Sequence, residues 1–252
     1  MKIPTPQGLV RKLKHSAFVD RRNLHQVWEA EQLRRFLAYY RVDCVLDVGA
    51  NFGQYARMLR TRAKYRDWIV SFEPNPEAVA ALRKAAQGDA RWLIEDIAVS
   101  DRDGVQTFNM MPNSEFNSLS VPHARQKDFF AFRGMNVVQR TIEVRVEALG
   151  TVYRRLKQKL AFERPFLKLD TQGFDARIVA AGRDVMHQFV GLQSELSVRP
   201  LYQDSPDFRD AIALYESLGF TLSAFVPNNA GHFPLLIETD CIMVRSELVR
   251  QS

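Results

Sequence analysis

Two carboxylates in this chain each stand at the end of an apolar run, at a spacing that suits a nucleoside. Asp47 falls in the run 45–48, which is followed by the turn Gly-Ala-Asn-Phe-Gly. Glu73 follows the next apolar run, 26 residues beyond Asp47. At the carboxyl edge of a parallel sheet, such a turn lets the backbone approach a ligand, and the second acid can bind both ribose hydroxyls. The pattern predicts a nucleoside site; the alternative is a tight strand-to-helix turn without a ligand.

The spacing of the glycines narrows the kind of nucleoside. A dinucleotide fingerprint requires G-x-G-x-x-G, but Asn51 and Gln54 occupy the second and third glycine positions. No lysine followed by Ser or Thr stands behind the turn, which excludes a P-loop. The remaining pattern, D-x-G-x-N-x-G, is typical of S-adenosylmethionine sites, and asparagine tolerates the positive φ that such a turn needs.

Alternating strand and helix patterns predict one doubly wound α/β domain. We expect a Rossmann-like, mostly parallel sheet with helices on both faces and a terminal antiparallel hairpin. A helix that begins at Pro76, with Asn75 as its N-cap, has the clearest start signal. The predicted strands are 44–48, 68–72, 91–99, 165–169, 190–194, 221–226 and 239–245. Residues 1–40 are expected to form an N-terminal helical extension that packs against or covers the site, and residues 41–246 the domain itself.

Residues 101–148 are predicted with less regular structure. A turn at 101–104 predicts a hairpin between strand 91–99 and a strand over 105–110, and alternating valines and charges predict a half-exposed strand over 142–146. Residues 111–136 lack a clean period, and long irregular segments of this kind are often functional lids. This segment contains the aromatic cluster Phe129, Phe130 and Phe132.

Composition is that of an ordinary soluble domain, with 252 residues, 46% hydrophobic and 25% charged. No apolar stretch approaches the ~20 residues that span a bilayer, and the first residues lack a secretory core, so a cytoplasmic location is expected. Cys44 and Cys241 fall in separate apolar runs and are expected to be buried free thiols. The net charge of +6 suits a solvated arginine-rich helix face, and without an RNA-binding motif we predict no nucleic-acid partner.

A set of motifs, in order along the chain, resembles the FkbM-type family of class I S-adenosylmethionine-dependent methyltransferases. The resemblance covers residues 33–246, and its most specific block is Asp-Thr-Gln-Gly-Phe at 170–174. Departures at 61–67 and 146–149 affect loops rather than the presumed reacting centre. The other matching motifs are at 47–55, 71–76, 97–101, 167–169, 195–197 and 240–245.

The resemblance implies methyl transfer from S-adenosylmethionine, most often to a hydroxyl oxygen. The turn after the first strand would approach the methionine portion, Asp47 would orient that turn, and Glu73 would take the ribose hydroxyls. The end of the third strand would border the adenine, although Asp96 could instead be a solvent-facing strand end. The implied cofactor-binding residues are Asp47, Gly49, Ala50, Asn51, Gly53, Glu73, Pro74, Asn75, Asp96 and Ala98.

The resemblance also implies that Asp170 and Glu195 end adjacent strands beside the methyl group. One of them could act as general base for the acceptor hydroxyl, or the two could share a divalent ion such as Mg²⁺. The alternative is that they cap helices and anchor loops. Gln172 could orient the acceptor or cap the next helix. His123 and His232 are alternative bases in loops, where a lone histidine is usually only solvated.

The acceptor that the family implies is a small molecule or glycan, with a sugar hydroxyl or a natural-product alcohol as its target. Segments 111–136, 196–206 and 227–238 are expected to form its pocket, where Arg199 would suit an anionic group. Two other functions stay open: a nucleotide-dependent oxidoreductase and a non-catalytic nucleoside-binding module of the same fold. The missing dinucleotide fingerprint argues against the first, and the intact carboxylates argue against the second. The oligomeric state cannot be read from the sequence.

Overall fold

The computed structural model describes residues 24–124, 136–227 and 235–249 of the protein, which form two sheets and their covering helices. The strands are β1 (Cys44–Val48), β2 (Trp68–Phe72), β3 (Trp92–Glu95), β4 (Ala98–Ser100), β5 (Gly104–Met110), β6 (Arg140–Ala148), β7 (Pro165–Leu169), β8 (Gly191–Ser197), β9 (Phe220–Val226) and β10 (Glu238–Arg245). Seven of them form the main sheet, in the order β3–β2–β1–β7–β8–β10–β9. All pairs from β3 to β8 are parallel, and β10 is antiparallel to both β8 and β9.

Helices cover both faces of this sheet. They are α1 (Leu24–Tyr39), α2 (Gln54–Thr61), α3 (Pro76–Ala85), α4 (Leu149–Leu160), α5 (Asp175–Ala181), α6 (Phe208–Ser217) and α7 (Ser246–Val249). Because the central strands are buried on both faces, their side chains alternate between two apolar cores. One core joins Leu46 and Leu167 to α4, α5 and α6, and the other joins Val45 and Phe166 to α1, α2 and α3. The doubly wound α/β fold that the sequence predicts is therefore confirmed.

The single strand predicted over 91–99 is wrong, because the chain forms two short strands there. β3 pairs with β2 in the main sheet, whereas β4 pairs with β6 in a three-stranded sheet of order β4–β6–β5. The chain leaves the main sheet at Asp96, whose exposed carboxylate pairs with Arg83 at 2.9 Å. Residues 97–99 are buried again, where the chain enters the second sheet as β4. The apolar pattern thus continues through the change of sheet and cannot reveal it.

The predicted hairpin after 101–104 also has a different partner. β5 pairs antiparallel with β6, which lies between β5 and β4. The alternation expected in β6 is confirmed, since Val144 and Val146 are buried while Glu143 and Arg145 are exposed. The turn residues at 101–104 correctly predict a bend in the chain, but they do not show which strand pairs with β5. Its hydrogen-bonding partner is the nine-residue strand β6.

Helix α1 is seated in the second core. Leu33 is fully buried, and the Phe36 ring meets the Phe166 ring edge-on, with centroids 5.2 Å apart. A Cβ on Gly191, in β8, would lie 2.6 Å from Phe36 Cζ, so the sheet is shaped to receive this helix. Residues 1–23, the rest of the predicted extension, lie outside the described residues, and the domain division at residue 40 stays a prediction.

The two cysteines are free thiols, as predicted. Cys44 and Cys241 are both buried, and burial raises the pKa of each thiol above its usual range. In the part of the chain that the structure describes, no helix has the length and apolar character needed to cross a membrane.

The substitution Leu33→Ala tests the seating of α1. Removing a fully buried leucine side chain lowers the free energy of unfolding by about 2–5 kcal/mol, and we expect urea denaturation to show a loss in this range. The matched control is Val27→Ala on the same helix, where the side chain is 60% exposed and the change should stay within about 0.5 kcal/mol. Equally small effects for both variants would mean that α1 does not pack on the core.

Candidate active site

A cavity of about 320 Å³ opens at the carboxyl ends of the parallel strands. One half is formed by the turn after β1 with Glu73, Pro74 and Ala98; it is called the cofactor half below, because the sequence predicts that the cofactor binds there. The other half is formed by the ends of β7 and β8 and the start of β10, and α1 adds Gln26 and Glu29 to the wall; it is called the acceptor half, after the predicted site of the methyl acceptor. Ligands of open α/β sheets bind at this edge.

The turn after β1 lies in direct contact with the end of β7. Gly49 has a φ of 79°, and a Cβ there would lie 1.9 Å from the carbonyl oxygen of Asp170. Glycine is therefore required by the close approach of two chain segments, in addition to the ligand approach that the sequence predicts. Asn51 has the expected positive φ, at 45°. At Gly53 a Cβ would lie 2.8 Å from Leu82 Cδ2, so this glycine lets α2 pack against α3.

Glu73 is fixed by the backbone at the end of β2. Its Oε2 accepts the N–H of Asn51 at 2.8 Å, and its Oε1 accepts the N–H of Asn75 at 2.9 Å. The Asn75 side chain in turn accepts from Glu77 N–H and caps α3, as predicted. Burial raises the pKa of Glu73 to about 7, although the two amide hydrogen bonds oppose this shift. Each carboxylate oxygen keeps a lone pair that can accept a hydroxyl group.

Asp47 lies below the turn, in a row of polar side chains that crosses the sheet. It stands opposite Ser71 on β2 and Lys168 on β7. Ser71 Oγ donates to Asp47 Oδ2 at 2.9 Å, and Trp92 Nε1 donates to Ser71 Oγ at 3.0 Å. Among the described residues, no donor reaches Asp47 Oδ1. Burial raises the pKa of Asp47, and the charge of Lys168 opposes that shift.

The row continues through Lys168 and Gln193, two residues that sequence reasoning missed. Lys168 Nζ donates to Asp170 Oδ2 at 2.9 Å and lies 5.2 Å from the centre of the Tyr55 ring. Burial lowers the pKa of Lys168, but the charges of Asp170 and Asp47 outweigh burial and raise it overall. Gln193 accepts from the Tyr55 hydroxyl and donates to Glu29 at 2.9 Å, which connects α1 to the site. The signal in the sequence that could have identified them was a polar side chain within a predicted strand, Lys168 in 165–169 and Gln193 in 190–194.

The three predicted catalytic residues lie together in the acceptor half. Gln172 Nε2 donates to Asp170 Oδ1 at 3.0 Å and to Glu195 Oε2 at 2.9 Å. The Tyr202 hydroxyl lies 3.0 Å from Gln172 Oε1 and fixes the amide from behind. Gln172 has a φ of 56°, and a Cβ on the following Gly173 would lie 2.7 Å from Tyr202 Cβ. The Gln-Gly pair thus lets the loop turn sharply against the tyrosine ring.

Buried Asp175, also missed from the sequence, joins the ends of β7 and β8. Its Oδ1 accepts the N–H of Thr171 at 2.8 Å, and its Oδ2 accepts from Ser194 Oγ at 2.9 Å and from Glu195 N–H at 3.2 Å. Burial raises the pKa of Asp175. This residue begins α5, so the helix positions both loops that carry the paired carboxylates.

Residues 114–118 connect the two halves of the cavity. Ser114 Oγ donates to Asn51 Oδ1 at 3.2 Å on the cofactor half, and Ser118 Oγ donates to the Gln172 carbonyl at 2.8 Å on the acceptor half. The described part of the irregular segment therefore lies over the cavity. Its residues 125–135, with Phe129, Phe130 and Phe132, lie outside the described residues, as does His232.

The Mg²⁺ hypothesis is not supported. The amide nitrogen of Gln172 lies between Asp170 and Glu195, where a shared ion would have to sit, and an –NH₂ group is not a metal ligand. Within the described ranges, no group of three or more His, Cys, Asp or Glu side chains is arranged to hold a metal ion. The donor set thus fits hydrogen bonding rather than metal coordination.

In the described part of the chain, several of the predicted site residues do not line the cavity. Asp96 pairs with Arg83 on the surface and does not line the cavity, whereas Ala98 does. Asp47, Gly53 and Asn75 support the wall from behind. His123 donates its backbone N–H to the Leu201 carbonyl at 2.7 Å, and Arg199 is exposed outside the wall.

The doubly wound fold, with its cavity at the carboxyl ends of the parallel strands, is the one that the sequence predicts for an S-adenosylmethionine-dependent methyltransferase of class I. The family model described as the Methyltransferase FkbM domain matches residues 47–222. The chain therefore belongs to the FkbM family of methyltransferases.

A curated relative is the 2-O-methyltransferase NoeI of Sinorhizobium fredii (strain NBRC 101917 / NGR234). The two are 24% identical over 220 residues, which covers 81% of this chain and 80% of NoeI. The magnesium protoporphyrin IX methyltransferase ChlM from Synechocystis PCC 6803, solved with bound SAM, is similar with a TM-score of 0.45 and 9% identity, over 94% of this chain and 96% of ChlM. Aeropyrum pernix fibrillarin, also solved with bound S-adenosyl-L-methionine, is similar with a TM-score of 0.45 and 12% identity, over 86% of this chain and 74% of the fibrillarin chain.

Binding of S-adenosylhomocysteine should depend on the ionised form of Glu73. The carboxylate that would accept the ribose hydroxyls is lost as the pH falls through the Glu73 pKa of about 7. Calorimetric titration should therefore give a Kd that rises between about pH 8 and about pH 6. Glu73→Gln should weaken binding about tenfold or more and flatten the pH dependence. The control is Glu77→Gln, at an exposed position four residues away, which should keep the wild-type Kd and its pH dependence. An unchanged Kd in Glu73→Gln would mean that the ribose binds elsewhere.

Magnesium should neither bind to the wild-type site nor affect its ligand. We expect no saturable heat when MgCl₂ is titrated into the protein, and the same Kd for S-adenosylhomocysteine with EDTA. Gln172→Glu replaces the separating amide with a third carboxylate, which is the oxygen-rich set that Mg²⁺ prefers, so this variant should gain divalent-ion binding. Saturable Mg²⁺ binding to the wild type that is lost in Asp170→Asn would contradict the argument.

Proposed function

We propose that the protein transfers the methyl group of S-adenosylmethionine to a hydroxyl oxygen of a small molecule or glycan, such as a sugar or a natural-product alcohol. The observation that carries the proposal is the pairing of Asp170 and Glu195 through the Gln172 amide in the acceptor half. An alcohol is a weak nucleophile until a base removes its proton, and a carboxylate beside it can do so. The similarity to a 2-O-methyltransferase supports transfer to oxygen.

Glu195 is the residue that we assign as general base. Burial raises the pKa of Glu195 well above its usual range, and the neighbouring carboxylate of Glu238 raises it further. A carboxylate with a raised pKa is a stronger base near neutral pH. Asp170 is less suited to this role because Lys168 Nζ, 2.9 Å away, already compensates its charge.

The cofactor half suits S-adenosylmethionine. Glu73 offers two fixed acceptor oxygens for the ribose, and Pro74 and Ala98 provide apolar wall for the adenine. The carboxylate of Asp47 is buried beneath the turn that would face the methionine portion, and among the described residues no donor reaches its Oδ1. Glu73, Pro74 and Ala98 thus fit a nucleoside with an apolar base and free ribose hydroxyls.

The chain's own residues account for the proton and the geometry of the reaction. When bound, S-adenosylmethionine supplies an electrophilic methyl group and leaves as a neutral thioether. As the acceptor oxygen forms its bond to carbon, its O–H bond breaks and Glu195 accepts the proton. Gln172, oriented by Tyr202, keeps Glu195 and Asp170 in fixed positions. Such fixed orientation of the reacting groups can contribute several kcal/mol to catalysis, and about 7–11 kcal/mol at best.

The charge of the cavity supports a small-molecule or glycan acceptor over a nucleic acid. Seven acidic side chains line it against one basic side chain, Lys168, among the described residues. A phosphate backbone would be repelled by this wall, whereas nucleic-acid sites are built from Lys and Arg. The seven acids are Glu29, Glu73, Glu115, Asp170, Glu195, Glu238 and Asp240.

The test is methyl transfer from labelled S-adenosylmethionine to a panel of sugars, polyols, alcohols, amines and RNA. We expect a methyl ether as product, and Glu195→Gln should lower kcat about 100-fold or more, the usual effect of losing a general base. Because Glu195 would act on the acceptor, the Kd for S-adenosylhomocysteine should stay within about twofold of the wild type. Methylation of nitrogen, carbon or RNA alone would overturn the proposal, and ligand binding without any product would favour a non-catalytic module.

A further inference from the structure

The acceptor half of the cavity contains more carboxyl groups than methyl transfer to a neutral alcohol requires. The ends of β7 and β8 and the start of β10 contribute Asp170, Glu195, Glu238 and Asp240. Asp170 pairs with Lys168, and Asp240 Oδ2 accepts from Gln193 at 2.7 Å. The Gln172 amide donates to Asp170 and Glu195 but has no charge. The positive charge of Lys168 is thus already used, and the rest of this acidic group faces the cavity.

Glu238 is the member of this group that points to a ligand. It is the first residue of β10, lies opposite Ser197 of β8, and is 4% exposed in the cavity wall. Among residues 24–124, 136–227 and 235–249, no side chain or backbone N–H donates to its carboxylate or forms an ion pair with it. Its charged neighbours Glu195, Asp170 and Asp175 are all acids. Burial, together with Asp170 and Asp175, raises the pKa of Glu238 to about 8.

A buried carboxylate without a donor is unfavourable. The free-energy cost is large unless a hydrogen-bonding and charged partner is present, which explains why buried acids in proteins are normally paired. Glu238 opens into a cavity where a ligand must lie for the proposed reaction. A ligand with a positive charge and several N–H donors would remove this cost.

We propose that the methyl acceptor carries a protonated amine, bound by Glu238, beside the hydroxyl that is methylated. The chemical class is an amino alcohol or an amino sugar. This inference rests on the proposed function, because it describes the acceptor of that same reaction. An ammonium group can donate to Glu238 while the adjacent hydroxyl stays beside Glu195 and faces the methyl group.

The ammonium of the cofactor's own methionine portion is the other source of this chemistry. That portion belongs at the turn after β1, and β10 is three strands away in the order β1–β7–β8–β10. At about 4.8 Å per strand this separation is about 14 Å. Glu238 therefore stands on the far side of the acceptor half. The position favours an amine on the acceptor, and the experiment below separates the two sources.

The experiment titrates D-glucosamine and N-acetyl-D-glucosamine, and oligosaccharides of each, into the protein saturated with S-adenosylhomocysteine, at a pH near the Glu238 pKa of about 8, where both the ionised carboxylate and the protonated amine are present. The two sugars share their ring hydroxyls and differ in the charged amine. We expect glucosamine forms to bind about tenfold tighter or more, as for one charge-assisted hydrogen bond. The same preference should appear in kcat/KM for methyl transfer. Equal binding, tighter binding of the acetylated forms, or no binding of the amines would overturn the inference.

Glu238→Gln identifies the residue responsible. It should abolish the preference for the amine while leaving the Kd for S-adenosylhomocysteine within about twofold of the wild type. Glu216→Gln, the same charge change on the exposed face of α6, is the control and should keep the preference. A preference that survives Glu238→Gln overturns the inference, and so does a loss of S-adenosylhomocysteine binding in a folded variant, because the carboxylate would then hold the cofactor's ammonium.

Two further results keep this inference distinct from the proposed function. Methylation of neutral hydroxyls without any preference for amines would leave the proposed function intact and overturn only the amine site. If Glu238→Gln does not fold, the salt dependence of binding to the wild-type protein is measured instead. Binding of the amines should weaken with ionic strength, while binding of the acetylated sugars should not. The same salt response for both sugars would overturn the inference.

Discussion

The buried ammonium group of Lys168 is the interaction on which the rest of the site depends. A buried cation is unfavourable unless anions compensate it, and here Asp170 pairs with Lys168 while Asp47 stands opposite on the neighbouring strand. Asp47 precedes the turn of the cofactor half, and Asp170 begins the loop of the acceptor half. One lysine therefore fixes the relation between the two halves, since its loss would leave the buried carboxylate of Asp47 and the partly exposed carboxylate of Asp170 uncompensated.

The backbone adds a second constraint between the same two strands. Gly49 touches the Asp170 carbonyl so closely that no larger residue fits, and Gln172 and Gly173 both have positive φ where the loop turns against Tyr202. A non-glycine residue in the left-handed region is strained and persists only when its surroundings determine it. For Gln172 those surroundings are two carboxylates on one side of the amide and a tyrosine hydroxyl on the other.

The sequence could predict the fold and the edge of the sheet where the site lies, because both depend on local patterns. Apolar runs that end in Glu73, Asp170 or Glu195 identify strand ends, and parallel strands bring such ends together. It could not predict the break between β3 and β4, where burial continues while hydrogen-bonding partners change. It also could not identify Lys168 or Glu238 as partners of the site, because their roles depend on pairing between strands far apart in the chain.

The Gln172 amide also determines how basic the proposed site can be. A divalent ion between Asp170 and Glu195 would stabilise both negative charges and make each a weaker base. A neutral amide orients the same two oxygens without removing their charge, so the mutual repulsion of Glu195 and Glu238 persists. That repulsion lowers the stability of the folded protein and increases the affinity of Glu195 for a proton. Groups arranged for function commonly reduce stability in this way, and here the unfavourable charge lies where the proposed reaction needs a base.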